Sequence, residues 1–182
     1  MQETERQLVE AIRSGDKEAL RRLYERFARY AMGVTLRYVP TRDDALDIVQ
    51  DSFVSILTSI GTFEYQGEGS LRLWVAKIVS NQAVKWIKEH EQLSFTDLTS
   101  DEIEDEDEAV IEEVPPDILS GMIARLPLRY RVVVNLRTFE RLSHKDVALR
   151  LGIPERTSIV LFYRAKRKLA KIINEYLNSQ RT

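Results

Sequence analysis

The chain has no cysteine among its 182 residues. Disulfides, thiolate metal sites and cysteine nucleophiles are therefore excluded, and the composition fits a reducing compartment. Histidine is nearly absent as well: His90 and His144 stand far apart in the sequence. Glycine and proline number seven and five, and they stand at breaks between periodic runs rather than inside them. That favours an all-helical fold and leaves no glycine-rich loop of the kind that cradles nucleotide phosphates. No stretch approaches the roughly 20 consecutive apolar residues of a membrane-spanning helix. Residues 1–10 are polar and hold three acids, so no signal peptide is expected there. What is present is 43% hydrophobic and 31% charged, which excludes a wholly disordered chain and leaves room for one ordinary domain or two small ones.

The net charge of −2 conceals a division. Residues 1–96 carry 13 Lys and Arg against 14 Asp and Glu, net −1. Residues 97–117 carry 11 acids and no base, net −11. Residues 118–182 carry 14 bases and 4 acids, net +10. The middle segment reads as an acidic flexible linker, because like charges repel and little apolar surface offsets the entropy of ordering. Pro115 and Pro116 close it. The basic third domain-sized segment points to nucleic acid, with a merely solvated basic surface as the alternative.

Residues 1–96 read as amphipathic helices. A short one contains Leu8, Ala11 and Ile12. A second, capped by Asp16, repeats Leu20, Leu23, Tyr24, Phe27, Ala31 and Val34 at helical spacing. Pro40 stops it. Thr41 to Asp44 resembles a capping box, and a helix is expected from about Arg42 to Ile60. Asp44, Asp47 and Asp51 fall at i, i+3 and i+7, which makes one acidic stripe. After Gly61 and a loop, Ser70 is expected to cap a helix running to about Glu89. Lys77, Asn81, Lys85 and Lys88 lie along one side of it, with Trp86 beside them. Cations hold phosphates, amides bond base edges and aromatic rings stack on unpaired bases, although a solvated helix face carries the same residues.

Residues 118–182 carry a more specific signal. Ser143 with Asp146 is a cap signature, Val147, Ala148 and Leu151 share an inner face, and Gly152 fits the left-handed position that ends a helix. Pro154 suits the first turn of the next helix, Glu155 to about Tyr176. A short helix, a glycine turn and a longer basic helix make a helix-turn-helix pattern.

Two blocks of these residues resemble the bacterial RNA polymerase sigma factors, in the extracytoplasmic-function group of the sigma-70 family. The first is Asp43-Asp-Ala-Leu-Asp-Ile-Val-Gln-Asp-Ser-Phe-Val54 followed by Leu71-Arg-Leu-Trp-Val-Ala-Lys-Ile-Val-Ser-Asn81. The second is Leu126-Pro-Leu-Arg-Tyr-Arg-Val-Val-Val-Asn-Leu136 with residues 142–169. The resemblance implies an all-α chain. A sigma-2-like helical bundle over 1–96 would bind core polymerase and melt the downstream promoter element. A sigma-4-like helix-turn-helix domain over 118–182 would bind the upstream element. It implies that Asp44, Asp47, Gln50 and Asp51 bind the polymerase. Trp74, Lys77, Asn81, Lys85 and Lys88 would meet downstream promoter DNA. Ser143, His144, Lys145, Arg156, Thr157, Val160, Leu161, Arg164, Lys166 and Arg167 would meet upstream promoter DNA. The implied partners are the clamp and flap of core RNA polymerase, promoter DNA and an anti-sigma factor, in the bacterial cytoplasm. No catalytic residue, metal, cofactor or small-molecule substrate is implied. A helix-turn-helix regulator acting without polymerase and a protein–protein adaptor stay open as alternatives.

One departure stands out. Where the family carries polar residues after the position of Thr157, this chain has Ile159, Val160 and Leu161. Three successive helical residues span about 200°, so at least one of them is expected outside the core. Such a residue either meets thymine methyl groups or packs on the N-terminal domain or an anti-sigma protein.

Overall fold

The structure is a computed structural model that describes residues 3–90 and 114–180. The acidic segment expected as a linker lies outside the described residues, except for Val114 to Asp117 at its end. The described residues form eight α-helices and no strand. The chain divides into two compact units, Met1–Trp86 and Ile87–Thr182.

In the first unit α1 (Glu5–Arg13) starts from a full capping box. The Gln7 amide donates to Thr4 Oγ1 at 3.2 Å and the Thr4 amide to Gln7 Oε1 at 3.0 Å. α2 (Lys17–Leu36) is capped by Asp16, which accepts from the Glu18 amide at 2.9 Å. It buries Ala19, Leu23, Phe27, Ala31 and Val34, a stripe at i, i+4 and i+3 steps. α3 (Arg42–Ser59) begins where the sequence places it, but not by the expected device. The exposed Thr41 side chain makes no capping bond. Asp43 and Asp44 in the first turn supply the negative charge that the helix N-terminus favours. The buried face of α3 is Ala45, Ile48, Val49, Ser52, Phe53 and Ile56. The buried Ser52 hydroxyl is satisfied by Ile48 O at 2.6 Å.

A short 3-10 turn (Ile60–Thr62) and a loop lead to α4 (Ser70–His90). Ser70 is not its cap. Gly67 and Gly69 hold φ of +112° and +91°, values that glycine adopts without a Cβ clash. They turn the chain so that the Ser70 hydroxyl reaches back, donating to Gly67 O at 2.6 Å. The cap comes from 66 residues upstream. The Glu5 carboxylate, 3% exposed, accepts from the amides of Gly69 and Leu71 at 2.9 Å each and of Arg72 at 3.3 Å. Four amides at a helix start lack intrahelical partners, and a carboxylate there satisfies several at once.

In the second unit, α5 (Pro116–Ala124) takes up the last two residues expected in the linker. α6 (Leu128–Thr138) is its central rod, with Tyr130 to Leu136 buried without a break. α7 (His144–Leu151) is capped as the sequence predicts: Ser143 accepts from the Asp146 amide at 3.0 Å, and Asp146 accepts from the Ser143 amide at 3.3 Å. Gly152 ends it at φ +72°, its amide donating to Ala148 O at 2.8 Å. α8 (Glu155–Gln180) buries Ser158, Leu161, Ala165, Leu169 and Ile173. A half-buried ion pair, Arg150 to Glu140 at 2.6 Å, ties α7 to the turn that precedes it.

Candidate nucleic-acid and protein interfaces

Three helix faces carry the residues singled out in the sequence. On α3, Asp47, Gln50 and Asp51 are exposed and Asp44 is half-exposed. The structure adds Leu46, Val54 and Leu57, which are 43%, 62% and 41% exposed. At about 100° per residue, the outer arc runs Leu46, Leu57, Gln50, Asp43, Val54, Asp47, Thr58, Asp51, Asp44. One edge is therefore largely apolar and the other largely acidic, with the Gln50 amide and, in the first turn, the Asp43 carboxylate among the apolar side chains. Sequence reasoning missed the apolar edge. Its signal was a surplus of hydrophobic residues at 46, 54 and 57, off the buried row of Ala45, Ile48, Ser52 and Ile56. Contiguous apolar side chains beside a charged rim suit contact with protein.

On α4, Lys77, Asn81, Lys85 and Lys88 are all exposed, within an arc of about 80°. Trp74 lies in the same arc but is half-buried. Its ring meets buried Phe63 at 5.2 Å between centroids, tilted by 50°. Only part of the indole is left to meet a base. Leu73, 70% exposed, borders this face and was not anticipated. The buried side of the helix includes Leu71, Val75, Val79 and Ala83, and Ile78 and Gln82 are half-exposed flanks. The Gln82 amide donates to the Ser55 hydroxyl of α3 at 2.9 Å.

On α8 the three apolar residues part company. Leu161 is fully buried at 0% exposure. It belongs to the core row that ends at Ile173, and this corrects the expectation that it meets DNA. Ile159 is exposed and Val160 is half-exposed. Val160 stands on the outward arc with Arg156, Arg164 and Arg167, whereas Ile159 stands about 100° away beside Lys166. One isopropyl group in a cationic row is what remains of the apolar stretch on that face. Lys145 and Arg156 are exposed and Thr157 is half-exposed.

Ser143 and His144 carry structural duties. Ser143 is engaged in the α7 capping box. His144 Nδ1 lies 3.0 Å from the hydroxyl of fully buried Ser158, and its ring meets Phe162 edge-on at 5.6 Å. Arg137 lies over the other partner of that contact, the Phe162 ring, at 5.4 Å. Burial, and next the charge of Arg137, hold the His144 pKa below its ordinary value, so the ring is neutral at pH 7. It fastens the start of α7 to α8 rather than offering a cation to phosphate.

Among the described residues, no group of acids and histidines is arranged to hold a metal ion, and no helix is long and apolar enough to cross a membrane.

Comparison with known proteins follows the same division. Residues 23–92 match the family model described as Sigma-70 region 2, and residues 117–169 match Sigma-70, region 4. The chain is 25% identical over 189 residues to the RNA polymerase sigma-H factor of Pseudomonas aeruginosa, covering 97% of both chains. It is 28% identical over 176 residues to the ECF RNA polymerase sigma-E factor of Haemophilus influenzae, covering 90% of this chain and 92% of that one. A solved structure described as CnrH in complex with the cytosolic domain of CnrY matches with a TM-score of 0.49 and 18% identity, covering 92% of this chain and 96% of that chain.

Proposed function

The chain belongs to the sigma-70 family, in its extracytoplasmic-function group, and from that premise we propose how its three helix faces divide the work of a sigma factor. A sigma factor binds core RNA polymerase and directs promoter-specific initiation. In this reading α3 is the polymerase-binding helix. Leu46, Val54 and Leu57 are desolvated against the clamp, while Asp47 and Asp51 steer the approach and set the register. Asp44 and Gln50 complete that face.

α4 meets the opened downstream element. Lys77, Lys85 and Lys88 hold phosphates, Asn81 offers an amide to a base edge, and the free part of Trp74 offers a stacking surface. α8 lies against the upstream duplex. Arg156, Arg164, Lys166 and Arg167, with Lys145 of α7, contact phosphates and bases, and Thr157 offers a hydroxyl. Val160 meets a thymine methyl group, which makes that base step A·T. The residues over 97–113, with their net negative charge, suit the polymerase's RNA exit path or a mask over the basic unit. The chain works by binding rather than catalysis, in the cytoplasm, and is restrained by an anti-sigma factor.

The observation that carries this reading is the pair of sigma-70 matches, in order, the first spanning α3 and α4 and the second spanning α7 and the first half of α8. The apolar edge of α3 weighs against a regulator that works without polymerase. The cationic row around Val160 weighs against an adaptor that has lost DNA. The test is transcription from a linear duplex with core polymerase, with and without this chain, and with sequencing of the transcripts. Specific starts that depend on the chain are expected. Binding to duplex DNA without core enzyme, and no effect on transcript starts, would overturn the assignment of faces.

A further inference from the structure

The loop between α3 and α4 is held at both ends by one short helix. At its beginning Arg13, in the last turn of α1, donates to the carbonyls of Gly61 and Phe63. At its end Glu5, in the first turn of the same helix, takes the amides of Gly69, Leu71 and Arg72. A second layer reinforces this end. The Glu68 carboxylate accepts from the Glu5 amide at 3.3 Å and from Arg26 of α2 at 3.3 Å. Arg26 also donates to Glu3 O at 2.9 Å. Within the loop, Phe63 is buried against Trp74, and Tyr65 Oη donates to Glu68 at 3.4 Å. Glu64 and Gln66 stand exposed at the tip.

These bonds exceed what a connection between two helices needs. A loop of this length closes with turn residues and a local cap. Here a carboxylate is buried instead, and burying one is unfavourable unless several donors surround it. Glu5 is the one charged residue among the buried described residues of the first unit. Of the two glycines at positive φ, flexible in isolation, Gly69 is held through its amide by Glu5, and Gly67 through its carbonyl by Ser70. The loop runs directly into the helix that carries Trp74, Lys77 and Asn81, and it shares the Phe63–Trp74 contact with that helix.

We infer that α1 is a clasp, and that Glu5 and Arg13 are positioning residues for promoter opening. They hold the 61–72 segment and the first turn of α4 in the shape that receives the separating strands. The inference rests on the reading of α4 as the helix that meets opened DNA. A site that must capture a base as it leaves the duplex gains by being set beforehand, since ordering the loop at that moment would oppose capture.

The test uses the full chain bound to core polymerase, on a linear duplex whose promoter has been mapped with the wild-type holoenzyme. Glu5→Gln keeps size and removes the charge. Arg13→Gln, at an exposed position at the other end of α1, frees the loop's beginning. Three quantities are read: core affinity, permanganate reactivity of unpaired thymines at saturating holoenzyme, and hydrogen exchange of the amides over 61–72. In both variants core affinity should hold and exchange should rise. Opening should fall by about tenfold in Glu5→Gln, as for the loss of one charge-assisted hydrogen bond, and by less in Arg13→Gln.

Wild-type opening in both variants, with exchange raised, would overturn the clasp. So would a loss of core affinity in step with opening, which marks general loosening of the unit. If Glu5→Gln does not fold by circular dichroism, Arg13→Gln decides. Asn81→Ala and Lys85→Ala separate the underlying reading: normal opening in these, beside a deficit in Arg13→Gln, would remove the α4 stripe from the DNA face while leaving the clasp in place.

Discussion

Val54 is the sharpest probe of the proposed polymerase face. It is 62% exposed in the free chain, so replacing it removes almost nothing from the fold. Surface changes of this kind stay within about 0.5 kcal/mol of wild-type stability. In the complex the same side chain would be covered. Full burial of a valine is worth about 1.5–3 kcal/mol, and 62% of that is still to be gained on binding. Val54→Asn should therefore weaken core binding by about 1–2 kcal/mol, roughly 5- to 30-fold in Kd. Asp47→Lys with Asp51→Lys acts on the other edge of the arc. Each exposed charge pair contributes about 1 kcal/mol or less, and that part should fade between low and physiological salt, whereas the Val54 effect should persist. The assay is a competition titration of fluorescently labelled chain against core polymerase at two ionic strengths, with circular dichroism of each variant. Charge reversal that abolishes binding while Val54→Asn leaves it untouched would place the apolar edge outside the interface. Full affinity in both variants would refute α3 as the polymerase helix.

Arg164→Ala should weaken upstream duplex binding on all sequences and reduce its salt slope by about one. Val160→Ser should leave the slope alone and relax a preference for thymine, both measured by titration of mapped promoter variants. His144 has a folded pKa below its unfolded value. Its contribution to stability is therefore present above about pH 6.5 and is lost as pH falls through the lower folded value. The melting temperature of the second unit should drop between pH 7.5 and 5.5, and His144→Asn should flatten that dependence. Gly152→Ala, at φ +72°, should destabilise the same unit by about 1–2 kcal/mol in a urea titration.

The all-helical fold and the α7 capping box with its glycine turn were legible because each is written in adjacent residues, whereas α3 starts where expected although the Thr41 capping bond that placed it is not made. Ser143 with Asp146, and Gly152 after Leu151, interact within a few positions of one another. The α4 cap was not legible. Ser70 is a proper cap residue by type, but the two positive-φ glycines before it redirect its hydroxyl, and the group that replaces it comes from Glu5. No local pattern announces a carboxylate that acts 66 residues away. Leu161 was misplaced for a different reason. A run of three apolar residues does not reveal its own phase, which is set by Ser158, Ala165 and Leu169 on the core side. The apolar edge of α3 was hidden among residues that looked like core.

The first turns of α8 carry an outward cationic row and a packing face on one stretch of chain, in alternation. Arg156, Val160, Arg164 and Arg167 look outward, while Ser158, Leu161 and Ala165 between them hold the helix to its neighbours. If the outward row reads the promoter as proposed, a change of preference in a descendant of this chain is confined to a small alphabet of outward positions. Each can vary without disturbing the scaffold, and none can be moved by inserting or deleting a residue, because a single insertion rotates everything after it by about 100°. On that reading the helix can change specificity only by substitution, as a series of point exchanges on an unchanging frame.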